Sequence, residues 1–522
     1  MNELLKKRLT LIAIGAILFN YLFWNESHGI NILIFSIFIL IANYINGLKF
    51  RNKILSFSLS SGFFITSLAI AYHGSSFAII MYYISMFLLI GYVQQAELKS
   101  IVYIAASAIV ASIQSLILFF KNIPLSQANN KKIKRIFKII KLSLIPIIIL
   151  FVFYLIFINA NPEFEKLANH TMNFLSKKLA FLFKLISFQR FLFFLFGLVV
   201  NIWILYKTNL PNLVIAEALR KEELIRKKVS KMLTNIEYFK NLKEKSPEYY
   251  RIKFAFSLKL KYEYISALFL LVLVNLLLFI VNVIDIKWVW FGFKYTETFN
   301  LKQFVHEGTY LLIISILLSI GIMLYFFRKN LNFYPKTQLI KNLAYTWIAQ
   351  NIILTISVAL RNFHYITYWG LAYKRIGVIL FLIAVAYGLL TLFIKIRKNK
   401  SSFYLIKRNS YAIYVLLILA SLINWDVVIA KHNLQHPFEN HMETSYLLSL
   451  SDKILPMIDQ KQNILLQNTK FNTYSDYSPY SYKEYYQKRV NIFIGKSKKA
   501  NWLSWNYNDW QAYQYYKNRT IK

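Results

Sequence analysis

The chain contains no cysteine. Disulfides, thiolate nucleophiles and cysteine-ligated metals are therefore excluded, and outward-facing parts must be stable without covalent staples. Acidic residues are scarce too: 23 Asp and Glu stand against 62 Lys and Arg, a formal charge of +39. In a soluble protein that imbalance would suggest nucleic acid. No Walker loop, dinucleotide fingerprint or nucleophile elbow is visible, and there is no internal repeat or low-complexity linker. Ala and Gly are thin beside Ile, Lys and Asn, the bias of an AT-rich bacterial genome.

What fills the chain instead is hydrophobic length. Of its 522 residues 57% are hydrophobic and 17% aromatic. Apolar segments fall at about 9–24, 30–46, 54–71, 77–93, 100–120, 139–159, 188–206, 264–284, 308–327, 342–360, 376–394 and 411–430. Each is near the length that crosses about 30 Å of hydrocarbon, where a helix satisfies its own backbone groups. The expected fold is all-α: a polytopic transmembrane bundle of about 11–13 spans with a small helical extramembrane C-terminal domain. The expected division is 1–138 for N-terminal transmembrane helices, 139–430 for a transmembrane core with a cytoplasmic amphipathic loop at 207–261, and 431–522 for an extracytoplasmic helical tail.

The basic residues lie in connections, so positive-inside placement and membrane lipids explain them better than nucleic acid, which is not expected as a partner. The stretches 207–261, 328–341 and 395–409 carry 14, 4 and 6 Lys and Arg, and alternate spans separate them. They are expected in the cytoplasm of a bacterial inner-membrane protein, with the N-terminus inside and the tail outside. Lys6, Lys7 and Arg8 precede an uncleaved first segment. The first half does not close: five spans would put 121–138, with six basic residues and no acid, outside. One of the first five segments is therefore expected to lie in the interface or to cross halfway, either the first run or the pair around Tyr72–Ser76. Apolar residues from Leu219 to Ile236 predict an amphipathic helix over 213–241; another is expected within 164–189, and tail helices over 445–461, 482–498 and 504–517.

His306-Glu307 starts like a zinc-protease helix, but Tyr310 stands where the second ligand would be. His432, His436 and His441 are expected to be loop residues, so neither a metal nor a cofactor is assigned. The polar groups at the outer ends of segments nine to twelve attract more interest: Glu307, Arg361, His364, Arg375, Asn424 and Asp426. Charged groups at such depth are costly unless paired. Arg361 and Asp426 are expected to share a polar cluster, with ion pairing and helix anchoring weighed against a binding site. Tyr365, Tyr368, Trp369 and Tyr373, like Trp288 and Trp290, suit an aromatic belt. Pro146 and Asn161-Pro162 would interrupt helix hydrogen bonding locally.

The run Asn424-Trp425-Asp426, Ile429-Ala430-Lys431, Asn433, Tyr446-Leu447 and Leu450-Ser451 through Pro456 resembles the closing signature of domain of unknown function 4173, an uncharacterised bacterial polytopic membrane family, and of its sister 4153. Asn159 to Phe164, Phe304 to Gly308, Arg361 with Tyr368, Gly370, Leu371 and Arg375, and Trp505-Asn506 extend the likeness over roughly 140–520. Ala372 and Lys453 depart from it, where Thr and an acid are usual. The resemblance implies an architecture and a location, no established activity, and it adds Asn433 to the polar cluster. Three functions stay open. A transporter or channel would use the cluster as gate or site; an envelope transferase acting on a lipid-linked substrate would use Asp426 or Glu307 as base; an assembly or signalling scaffold would bind an envelope partner through the tail. No motif demonstrates catalysis.

Overall fold

The structure, a computed structural model, describes residues 3–46, 53–122, 160–179, 187–226, 247–292, 301–327, 330–435, 444–461 and 482–520, with 146, 150, 153, 154, 157 and 158. Among the described residues the regular elements are helices, and one isolated bridge joins Glu223 to Lys400. Eight helices are long and apolar enough to cross a bilayer, and Ile30–Ile45 and Leu312–Phe326 are shorter apolar helices. The chain is a multi-pass membrane protein by this measure. The sixth apolar segment and the histidines at 436 and 441 fall mostly or wholly outside the described residues. The chain divides into two compact units, Met1–Glu217 with Ala420–Asn424 and Tyr482–Lys522, and Ala218–Leu419 with Trp425–Ser481.

The first unit contains α1 (Glu3–Phe23), α2 (Ile30–Ile45), α3 (Lys53–His73), α4 (Ser76–Gln94), α5 (Ile101–Asn122), α6 (Pro162–Leu179), α7 (Phe188–Leu205) and α8 (Pro211–Ala218), plus α17 (Tyr482–Lys499) and α18 (Tyr507–Thr520) from the tail. α1 packs along α7 in the opposite direction. Asn20, near the end of α1, exchanges hydrogen bonds with Arg190 in the first turn of α7, at 3.2 and 3.0 Å. Glycines permit the close approach: a Cβ at Gly197 would stand 2.6 Å from the Phe19 ring. α6 begins at Asn161-Pro162 for a local reason. The Asn161 carboxamide accepts from the backbone N–H groups of Glu163 and Phe164, Pro162 loses no bond in the first turn, and the acids face the positive helix end.

The turns at the other end of this unit are stitched by side chains. Gln94 donates to the carbonyls of Trp203 and Tyr206 and accepts from Thr208. The buried Glu217 carboxylate takes the Lys99 and Ser100 N–H groups at 2.9 and 2.7 Å, capping α5. At the end of α7, Trp203 donates to Ala108 and Tyr206 to Leu118 of α5. α5, like α3 and α4, is long and apolar enough to cross the bilayer, and α1 is not among the eight such helices. α1 packs along its neighbour, and Gly74 (φ +51°) with the Ser75 cap of α4 makes an ordinary tight turn.

The second unit contains α9 (Pro247–Asp285), closed by a π-turn over Ile286–Trp290, then α10 (Leu301–Phe326), α11 (Thr337–Trp369), α12 (Tyr373–Arg397), α13 (Ser402–Ser421, whose last two residues belong to the first unit), α14 (Trp425–Gln435), α15 (Thr444–Ser449) and α16 (Leu455–Gln460). α9 starts at Pro247, before the expected apolar boundary, because its charged first turns are good helix formers. Of the helix predicted over 213–241, the described part is helical to Ala218 and not over 219–226, and residues 227–241 lie outside the described residues. Glu222 and Glu223 are drawn instead to Lys407 and Lys400, the Leu224 N–H donates to Asn399, and residues 219–226 are held against the α12–α13 turn. Lys395, fully buried, donates its ammonium to the Phe327 carbonyl beyond the C-terminus of α10, where a cation complements the helix dipole.

The described tail is helical where expected, with a break at Ser451 that splits the first segment into α15 and α16. Each part of the tail contacts its own unit: in the second, the Tyr446 hydroxyl accepts from the Tyr373 N–H. In the first unit, Asn501 and Ser504 donate to Glu26, the Ile30 N–H donates to Trp505, and Tyr507 stacks on Tyr72 at 5.3 Å. The turns after α1 and α3 thus receive the end of the tail.

Candidate functional site

Two polar constellations lie in the second unit. The first surrounds the turn between α11 and α12. Gly370 ends α11 at φ +77°, a left-handed conformation that a side chain disfavours. The next residue is clamped: the Asn433 carboxamide accepts from the Leu371 N–H at 2.6 Å and donates to the Leu371 carbonyl at 2.9 Å. Arg375 folds back to donate to the carbonyls of Trp369 and Gly370, its guanidinium lies 4.1 Å over the Tyr365 ring, and its own carbonyl accepts from Asn362. Tyr373 takes the Tyr446 hydroxyl on its N–H and donates its own hydroxyl to Asp426 at 2.8 Å.

Arg375, Asp426 and Asn433 therefore meet at one turn, and their hydrogen-bonding groups there are largely engaged with one another's neighbours. The Arg361–Asp426 pairing is corrected. Arg361 pairs with Asp285 at 2.5 Å, and both side chains are buried. Asp426 instead accepts the Tyr373 hydroxyl on one carboxylate oxygen. Asn424 belongs to the first unit, where its carboxamide nitrogen and oxygen are buried without hydrogen-bond partners. Glu307 lies in α10, and its side chain is outside the described set. His364 donates a ring N–H to the Val289 carbonyl at 3.3 Å. Among the described residues no group of three or more His, Asp or Glu has metal-binding proximity.

The second constellation escaped sequence reasoning. On α9 and its π-turn the buried positions Tyr264, Ala267, Leu271, Asn275, Leu278, Asn282, Asp285 and Val289 recur at intervals of three and four, a coiled-coil seam. Three of them are polar. Asn275 and Asn282, seven residues apart, donate to the carbonyls of Leu343 and Gln350, also seven apart, so α9 and α11 run parallel. Gln350 donates to Asn275, Trp290 donates to Ser357, and the Asp285–Arg361 pair lies between these levels. Two Asn at heptad spacing with an Asp three residues on were the available signal.

The ladder is not saturated. Asn282 Oδ1, Asp285 Oδ2, Gln350 Oε1 and Asn351 Oδ1 are all buried without donors. Every one is an acceptor, so anything completing them must bring positive charge or N–H and O–H groups.

The profile of one family, described as domain of unknown function DUF4153, matches residues 53–461. The chain belongs to the DUF4153 family. This is the sister of the family that its signature residues resemble most, so the 4173 assignment is corrected to 4153. No curated protein matches the chain, and no solved structure does.

Proposed function

We propose that this DUF4153 member is a transporter of a bacterial inner membrane that moves a small cation or a cation-coupled solute along the polar seam between α9 and α11. One observation carries the reading. A carboxylate, a guanidinium and three amides occupy one helix seam inside otherwise apolar spans. Charges in such places cost several kcal/mol unless they serve a pathway or pair, and they mark ion routes in membrane bundles. The rival readings have less support: a transferase would need Asp426, which already accepts from Tyr373, or Glu307, whose side chain lies outside the described residues, and α17 and α18 make contacts to the chain's own turns.

The orientation follows from the basic loops, with the N-terminus and residues 207–246 inside and the tail outside. By the same rule the six basic residues of 121–138 belong inside, which requires that one of the first five apolar segments does not cross. The transport reading is tested by loading purified protein into liposomes and following sodium or proton movement after an imposed gradient. Wild-type vesicles should carry flux that Asp285→Asn abolishes and Lys498→Ala leaves intact. Flux no greater than in protein-free vesicles overturns it.

A further inference from the structure

We propose that the outer part of the α9–α11 seam is a binding site for one small monovalent cation of sodium type, held chiefly by Asn282 Oδ1 and Asp285 Oδ2. The inference rests on the transport reading and gives its ion a place. Asn282 and Asp285 stand one turn apart on the same face of α9, at 3% and 4% exposure. Each has one atom committed to α11: Asn282 Nδ2 to the Gln350 carbonyl and Asp285 Oδ1 to Arg361. Each keeps a second, acceptor atom buried without a donor. A buried acceptor left bare loses the hydrogen bonds that water gives it in the unfolded chain, so a group that supplies positive charge or a donor is favoured there. Gln350 Oε1, bare as well, adds an oxygen from the facing helix.

The chemistry selects the ion. Hard oxygen donors suit alkali and alkaline-earth cations rather than soft metals. Asp285 is already paired with Arg361, so the site carries no net formal charge before the ion enters, which favours a single charge over two. The π-turn Ile286–Trp290 follows directly on Asp285, and such turns recur at functional sites. Asp285 then bridges two cations, the guanidinium on one oxygen and the ion on the other.

The test reads binding apart from transport. Thermal unfolding of the full chain in detergent is followed in sodium, potassium or choline chloride at matched ionic strength and pH. Sodium should raise the midpoint saturably by several degrees over choline, with potassium weaker. Asn282→Ala should remove the sodium increment while still unfolding cooperatively, and Lys498→Ala should retain it. Equilibrium dialysis against radioactive sodium provides a second readout if Asn282→Ala folds poorly. Wild-type protein should retain sodium above the choline background, and its failure to do so overturns the site. So does an equal increment in Asn282→Ala. Sodium binding without vesicle flux would uphold the site and overturn the transport reading; flux without binding would do the reverse.

Discussion

Arg361 and Asp285, 76 positions apart in the chain, form an ion pair at 2.5 Å between two parallel membrane-spanning helices, with 10% and 6% of their side chains exposed. Breaking such a pair leaves a buried charge, whereas removing both members removes the debt. Arg361→Met or Asp285→Leu alone should each destabilise the protein by about 3–5 kcal/mol. The double variant should recover more than half of the summed loss in a double-mutant cycle read by detergent unfolding. Additive losses would mean that the two groups are independent.

The Asn433 clamp makes a second prediction. Asn433→Leu leaves both the N–H and the carbonyl of Leu371 without their present partner and should cost about 2–4 kcal/mol, the sum of two lost buried bonds. Asn433→Asp keeps an acceptor for the N–H and should cost less. Gly370→Ala forces a side chain into positive φ and should cost about 1 kcal/mol. Equal effects of Asn433→Leu and Asn433→Asp in thermal unfolding would show that the two-pronged bond does not matter.

Much of the outer turn was legible because its residues are chemically conspicuous. Arg361, Arg375, Asp426 and Asn433 are polar groups at the ends of apolar runs, and three of them do meet there. Which group answers which was not legible, since Asp285 and Tyr373 lie on other helices and hydropathy carries no information about azimuth. Asn275 and Asn282 were hidden differently. Two amides barely lower the hydropathy of a long apolar run, and only the seven-residue spacing reveals that they share a face. The stitching of the turns by Gln94 and Glu217 had no local signal, because both side chains reach partners more than a hundred residues away.

Membrane sidedness can be read directly, since the chain has no native cysteine. Single substitutions Lys121→Cys, Lys398→Cys and Lys498→Cys fall on exposed positions. An impermeant maleimide applied to intact cells should label the variant at 498, and those at 121 and 398 only after permeabilisation. Labelling of Lys121→Cys in intact cells would place residues 121–138 outside and contradict the positive-inside orientation.

Acid should loosen the 219–226 segment. The hydrogen bond from Lys407 holds the Glu222 carboxyl below its usual value of 4.5, so the folded state binds fewer protons than the unfolded state in that range. The Glu222 contribution is therefore complete at neutral pH and is lost as pH falls from about 4.5 through the lower folded value. Proteolysis by an acid-active protease near 219–226 should accelerate over this range, and Glu222→Gln should flatten the dependence. A wild-type rate independent of pH there would contradict the assignment.

The seam between α9 and α11 is the centre of the account, and its accessibility to a small aqueous cation tests it most directly. Asn275→Cys and Asn282→Cys place thiols in the seam, whereas Leu276→Cys and Ile280→Cys place them on the exposed apolar face of the same helix. Membrane-embedded protein is treated with a cationic aminoethyl methanethiosulfonate, and modification is scored by mass. Reaction at 275 and 282 with none at 276 and 280 is the predicted result; inert seam thiols, or equal reaction on both faces, would contradict a polar path through α9 and α11.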